Sequence, residues 1–182
     1  MATQVMIDIE TMGTGNNAAI LSIGAVKFDL SLRDVYPDCI IDRFYAPVDL
    51  KSSQGFGGKI DADTVMWWLN SARDVARVEM LGEQRIDLAS VLEGFARWFG
   101  DDSLPVWGNG ATFDNVIVRS AYDSIGMDCP WKFYDDRCHR TLKNLAPGCQ
   151  PERLGVYHNA LNDAEHQVRQ LVMVVKHLGL IL

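Results

Sequence analysis

Asp8 and Glu10 stand two residues apart in the run Val5-Met6-Ile7-Asp8-Ile9-Glu10. Apolar Val5, Ile7 and Ile9 alternate with the other positions, which is the pattern of a strand buried on at least one face. Side chains two apart on a strand share a face, so the two carboxylates lie side by side on the opposite one. Adjacent acids repel one another unless a cation sits between them. Hard oxygen ligands at this spacing suit Mg²⁺ or Mn²⁺ better than zinc, which more often recruits Cys or His. Asp-x-Glu alone is too short to be specific and fits a strand end with solvated acids equally well.

Two further segments carry candidate groups. In Gly108-Asn-Gly-Ala-Thr-Phe-Asp114-Asn, a short apolar strand leads through a loop into a pattern where Val116, Arg119, Ser120 and Asp123 are helically spaced. Asp114 therefore falls at the start of a helix, just outside the carboxyl end of a strand, where acids favour the helix dipole; by itself it reads as a cap. His158 and Asp163 are five residues apart. On one continuous helix they would point roughly 140° apart, so they converge only if His158 lies on the loop before a helix that begins near residues 159–162. Val168, Leu171, Val172 and Val175 then face a core. His158 reads as a mobile residue beside a fixed carboxylate, whereas His139, His166 and His177 read as ordinary surface or core histidines.

Taken in order, these five positions resemble the DEDD exonucleases of the DnaQ-like superfamily, histidine subclass. The phrases IDIETMGTGNNAAILSIGAVKFD, DADTVMWWL, VWGNGATFDNVIVRSAY, PWKFYDDR and HNALNDAEHQ are similar to small phage and prophage 3′–5′ exonucleases and to the mycobacterial 3′–5′ exoribonuclease-like group, over nearly the whole chain. The resemblance implies an α/β ribonuclease H-like fold with a mixed central sheet flanked by helices. It implies a metal-dependent exonuclease that releases nucleoside monophosphates from a free 3′ end, single-stranded, with DNA ahead of RNA, and a homodimer as in other small members. Two Mg²⁺ or Mn²⁺ ions roughly 3.5–4 Å apart would clamp the attacking and leaving oxygens. Asp8 would bridge them, Glu10 and Asp163 would complete the nucleophile-side site, and Asp114 would act mainly through bound waters. His158 would take the proton of the attacking water. Thr11, Met12 and Gly13 would lie near the terminal nucleotide, with Asn109 and Phe113 as further substrate contacts; Gly13 and Gly15 allow close approach.

The chain departs from the family at DDRCHRTL, where an acid followed by Val or Ile often precedes Arg-Thr and this chain has Cys138 and His139. That touches local substrate contacts and none of the five positions. Three other readings compete: an exoribonuclease, a non-catalytic end-binding module on the same fold, and an endonuclease on the related fold that lacks the histidine. A module freed from catalysis has no physical reason to keep four mutually repelling acids, and His158 disfavours the endonuclease.

Trp67 and Trp68 point about 100° apart on one helix, so one belongs to the core and the other is a candidate stacking platform for an unpaired base. Trp98 reads as the apolar face of a helix, and Trp107 and Trp131 as strand and turn packing. The 182 residues, 48% hydrophobic, fit one domain over 1–182 with a full core. A net charge of −7 argues against a bulk electrostatic nucleic-acid binder, although the metal site itself supplies part of the acidity. Lys132, Arg137, Arg140, Lys143 and Arg153, diluted by Asp135, Asp136 and Glu152, could track a phosphate backbone or form a solvated surface. Cys39, Cys129, Cys138 and Cys149 make no C-x-x-C pair and read as free thiols in a reducing compartment; a zinc site from Cys129, Cys138 and His139 matches no common spacing. Strand residues begin almost at once, leaving no room for a signal peptide, and no apolar run suits a bilayer. The expectation is a soluble, cytoplasmic protein with no membrane partner.

The elements that must hold these groups follow from pattern. VMIDIE, ILSIGAVKFD and IIDRFYAPV are strand-like, separated by TMGTGNNAA and the SLRDVYPD turn region; DADTVMWWLNSA and IDLASVLEGFARWFG are helical. KSSQGFGGK reads as a flexible loop, the stretch near PWKFYDD as a strand or extended piece, RTLKNLA as a short helix ending at Pro147-Gly148, and the last segment as a long helix.

Overall fold

A computed structural model of the protein describes residues 3–32, 38–70, 73–82, 84–100 and 103–180. Strands β1 (Thr3–Thr11), β2 (Ile20–Asp29) and β3 (Ile40–Pro47) open the fold, and β4 (Val106–Gly108) and β5 (Asp136–Cys138) complete a sheet of order β3-β2-β1-β4-β5. The β1/β2 and β2/β3 pairs are antiparallel and the β1/β4 and β4/β5 pairs parallel, giving the mixed sheet expected. Much of the SLRDVYPD turn region lies outside the described residues.

The alternation in β1 sorts its side chains between two cores. Val5, Ile7 and Ile9 pack with Leu92, Phe95 and Phe99 of α4 (Leu88–Phe99) and Ile117, Val118 and Tyr122 of α5 (Asp114–Ile125). Met6 packs on the other face with Val168, Leu171 and Val175 of α7 (Ala160–Leu178). Asp8 and Glu10 therefore point to the α7 side. In the β1/β2 register Asp8 faces Gly24, and a Cβ at Gly24 would lie 2.2 Å from the backbone of Ala160. The absence of a side chain there lets the first turn of α7 rest on the sheet beside Asp8.

Helix α7 begins where the sequence places it. Asn159 is its N-cap, its side chain accepting from the Asn162 backbone N–H at 3.2 Å, and Gly179 ends it in the left-handed conformation. Asp61 and Asp87 cap α2 (Ala62–Trp68) and α4 in the same way.

One reading needs correction and two need completing. Part of the supposed loop KSSQGFGGK is helix α1 (Leu50–Gly55), capped by Asp49, whose Oδ2 accepts from the Ser52 N–H at 2.8 Å; the glycines that suggested a loop follow this turn. Helix α3 (Asp74–Gly82) has no counterpart among the sequence expectations; among its described side chains Val75, Val78 and Leu81 are exposed and Ala76 joins a buried cluster. In PWKFYDD, Phe133–Asp135 form a 3-10 turn, and the strand is Asp136–Cys138. The turn is fixed from inside: fully buried Trp131 donates from Nε1 to Asp136 Oδ1 at 2.8 Å, and Asp136 also receives Asn115 and Arg119. Helix α6 (His139–Asn144) follows β5 directly.

Candidate active site

The three separated segments converge. Asp8 and Glu10 come from the carboxyl half of β1, Asp114 from the first turn of α5 after the β4 turn, and Asp163 from the first turn of α7. All four acids and His158 line one cavity of about 580 Å³. Asp114 does not cap its helix; its carboxyl is turned back to the sheet and takes backbone hydrogen bonds from Ile9 and Asn109.

Burial and mutual repulsion dominate the electrostatics. Burial first, then the charges of Asp114, Glu10 and Asp163, hold Asp8 well above the carboxylate range, against a hydrogen bond from Gln167. Glu10 is raised by burial and by Asp163 and Asp114, with Arg153 opposing. Burial lifts Asp114 to about 7. Asp163 forms an ion pair with Arg153 and accepts the His158 backbone N–H at 3.0 Å.

His158 is the residue before the N-cap, as the five-residue spacing required, but it is packed rather than loosely tethered. Its φ of 64° is positive, unlike that of any other described non-glycine residue. The ring lies edge-on to Trp67 with centroids 4.8 Å apart, and Nδ1 stands 3.9 Å from Glu10 Oε1. Burial, assisted by Arg73 and Arg153, pushes its pKa below the ordinary imidazole value despite Asp163.

The tryptophan pair divides as its angular separation demands. Trp68 is 2% exposed and donates from Nε1 to Thr11 O at 3.0 Å, whereas Trp67 is 38% exposed and carries the Arg73 guanidinium over its ring. A second hollow of about 520 Å³, lined by Thr11, Gly13, Trp67, Trp68 and Phe113, adjoins the first at Ile9 and Glu10. Asn109 lines the first cavity and Phe113 both. Met12 is partly buried against the cluster of Leu21 and Trp68, so of the Thr11-Met12-Gly13 segment Thr11 and Gly13 line this hollow and Met12 does not.

Sequence reasoning passed over Gln167, which is buried and donates from Nε2 to Asp8 Oδ1 at 2.6 Å. It also set His166 aside as ordinary, yet His166 lines the cavity. The signal was present: Asp163, His166, Gln167 and Gln170 follow the i, i+3, i+4, i+7 spacing of one helix face and all four line the cavity. Of the basic stretch, Arg140, Lys143 and Arg153 border the cavity. Lys132 and Arg137 do not; Arg137 instead donates to Tyr134 O. Among the described residues, Glu10, His158 and Asp163 form the group whose donor atoms come together, all within 4.8 Å of one another, for a metal ion. The zinc site weighed at Cys129, Cys138 and His139 is not such a group, and the four cysteines are free thiols. His139 is buried with neither ring nitrogen hydrogen-bonded.

Known proteins share this arrangement of chain. An exodeoxyribonuclease of Enterobacteria phage T4 is 21% identical over 157 residues, covering 75% of this chain and 68% of that protein. The zinc-bound E. coli exonuclease I–single-stranded DNA complex superposes with a TM-score of 0.63 at 15% identity over 98% of this chain, which spans 41% of that longer one. The nuclease domain of 3′hExo, a DEDDh family member bound to rAMP, superposes at 0.60 with 12% identity, covering 97% of this chain and 92% of that one. The family described as the 3′-5′ exoribonuclease Rv2179c-like domain matches residues 3–175. With a mixed sheet of ribonuclease H type and a family match over almost its whole length, this chain is a 3′–5′ exonuclease and belongs to the Rv2179c-like domain family.

Proposed function

We propose that residues 1–182 act as one domain that hydrolyses single-stranded nucleic acid from its 3′ end, with Asp8, Glu10, Asp114 and Asp163 holding two Mg²⁺ or Mn²⁺ ions and His158 as general base. The observation that carries this reading is the convergence of five side chains from β1, α5 and the α7 entrance on one cavity. Three buried acids whose pKa values are raised, first by burial and, for Asp8 and Glu10, by the neighbouring acids as well, form a donor set that a divalent cation satisfies and water does not. Its oxygen-rich character suits Mg²⁺ or Mn²⁺. Bound there, the ions would polarise the scissile phosphate and stabilise charge on the attacking and leaving oxygens.

The chain's own groups supply the rest. His158, kept neutral by burial, accepts a proton from the attacking water. Its backbone N–H and the Arg153 guanidinium fix Asp163 from two sides, and Gln167 fixes Asp8. The exposed face of Trp67, with Phe113, Thr11 and Gly13 around the second hollow, gives the terminal base an apolar seat, and Asn109 borders the phosphate side. Free thiols suit a reducing compartment such as the cytoplasm, and no helix among the described residues is long and apolar enough to cross a membrane.

The family description names RNA and the phage relative's name DNA, so the test uses both. Matched 5′-labelled DNA and RNA oligomers of one sequence are digested with Mg²⁺, with Mn²⁺ and with EDTA. The expected outcome is stepwise shortening from the 3′ end with mononucleotide release, abolished by EDTA. Internal fragments, or retention without cleavage, overturn the reading.

A further inference from the structure

The cavity has a second wall that this mechanism leaves unused. Arg140 and Lys143 are three residues apart on α6, share a helix face, and line the same cavity as the acids. The third cation of the cavity, Arg153, is paired with Asp163. Among the described residues no carboxylate oxygen lies within 4 Å of Arg140 or Lys143.

Arg140 is held in place. Its Nη2 donates to Asn109 O at 2.6 Å, and its guanidinium lies against Gly110, where φ is 120° and a Cβ would come within 3.3 Å of Cζ. Lys143 is half-buried beside it, and both burial and the Arg140 charge push its ammonium pKa down. The Arg140 charge favours the ionised form of Asp114, yet no described acid pairs directly with either cation, and two like charges side by side favour an arriving anion. The aromatic hollow shares Ile9, Glu10, Trp67 and Phe113 with the acid-lined cavity and, unlike it, contains neither cation.

We infer that Arg140 and Lys143 form a phosphate subsite for the nucleotide preceding the scissile bond, binding the phosphate on the 5′ side of the penultimate nucleoside. The inference rests on the exonuclease reading, because the terminal base in the aromatic hollow and the scissile phosphate at the acids leave this phosphate as the next anion along the strand. The subsite takes nucleic-acid phosphate without reading its base.

The test compares two dinucleotides that differ in one group, NpN and its 5′-phosphorylated form pNpN. The wild-type kcat/KM for pNpN should exceed that for NpN by about tenfold, the size expected of a charge-assisted hydrogen bond. Raising the salt should shrink the ratio. In Lys143→Met, which keeps the apolar stem and an unchanged melting temperature, the ratio should fall towards one; Arg140→Gln should act in the same direction. Equilibrium binding of the same pair in EDTA, followed by tryptophan fluorescence, gives a readout without turnover. A wild-type ratio of one, or a ratio that Lys143→Met leaves intact, overturns the subsite while the exonuclease stands. Cleavage of neither dinucleotide nor any longer oligomer removes the exonuclease reading. The binding comparison then decides the subsite alone: tighter, Lys143-dependent binding of pNpN upholds it and equal binding overturns it.

Discussion

His158 occupies a left-handed backbone position that a β-carbon makes unfavourable, and its ring and amide both serve neighbours that belong to the site. Its lowered pKa sets the sign of the pH dependence. A base must be unprotonated to act, so the rate should rise with pH over a range below the ordinary imidazole value and be level by neutrality. His158→Ala should lower turnover by about 10²–10⁴-fold and remove that rise, as initial rates across pH at saturating metal would reveal. Profiles of the same height and shape in both proteins would take His158 out of the reaction. Asp163→Asn should abolish activity as well, with the folded state retained, because the carboxylate serves the site, the Arg153 ion pair and the His158 N–H rather than the packed face of α7.

At the scale of elements, two contacts set the site. The first turn of α7 lies on Gly24 so closely that a methyl group has no room. Gly24→Ala should therefore displace the helix entrance, lowering stability by about 1–3 kcal/mol or more and activity together; unchanged melting and turnover would mean that α7 does not depend on this contact. Helix α2 makes a different prediction from two adjacent residues. Trp68→Ala empties a buried site and loses its hydrogen bond to Thr11, so it should cost about 3–5 kcal/mol of stability. Trp67→Ala should leave the urea midpoint nearly unchanged while weakening oligonucleotide binding by about 1–3 kcal/mol. Equal destabilisation by the two changes would reduce Trp67 to packing.

For the whole molecule, stability should respond to metal and to pH in separable ways. Acids with raised pKa values favour the folded state at low pH and lose that contribution as pH rises through the folded value, about 7 for Asp114. Mg²⁺ or Mn²⁺ held by these acids, as proposed, would relieve this repulsion and bind the folded state alone, so adding either should raise the melting temperature, by more at pH 8 than at pH 6; Asp163→Asn should lose most of the effect. His139 has the opposite sign. Burial lowers its pKa to about 3, so below the unfolded value near 6.5 the unfolded chain takes up a proton that the folded one refuses, and stability falls with pH until about 3. His139→Leu, which also removes two unpartnered ring nitrogens, should be at least as stable at pH 7 and gain about 2 kcal/mol on the wild type between pH 7 and pH 5. Parallel denaturation midpoints for the two proteins at both pH values would contradict a buried neutral histidine.

Much of this was written in local pattern. Period-two alternation in β1 assigned Asp8 and Glu10 to one face, a five-residue spacing forced His158 off the helix that carries Asp163, and adjacent tryptophans had to part company. Each follows from the fixed geometry of a strand or a helix, which a single segment determines without reference to the rest of the chain. Local pattern failed where an element carries little periodic signal: α1 is a turn and a half ending in glycine, β5 is three residues long, and α3 exposes its apolar side chains. Only the assembled chain decided that Gln167 meets Asp8 across 159 residues of sequence, that Gly24 must be bare for α7 to seat, and that Arg140 and Lys143 border the cavity that holds the acids. Those relations depend on distances between elements, which packing sets and which spacing along a chain does not encode.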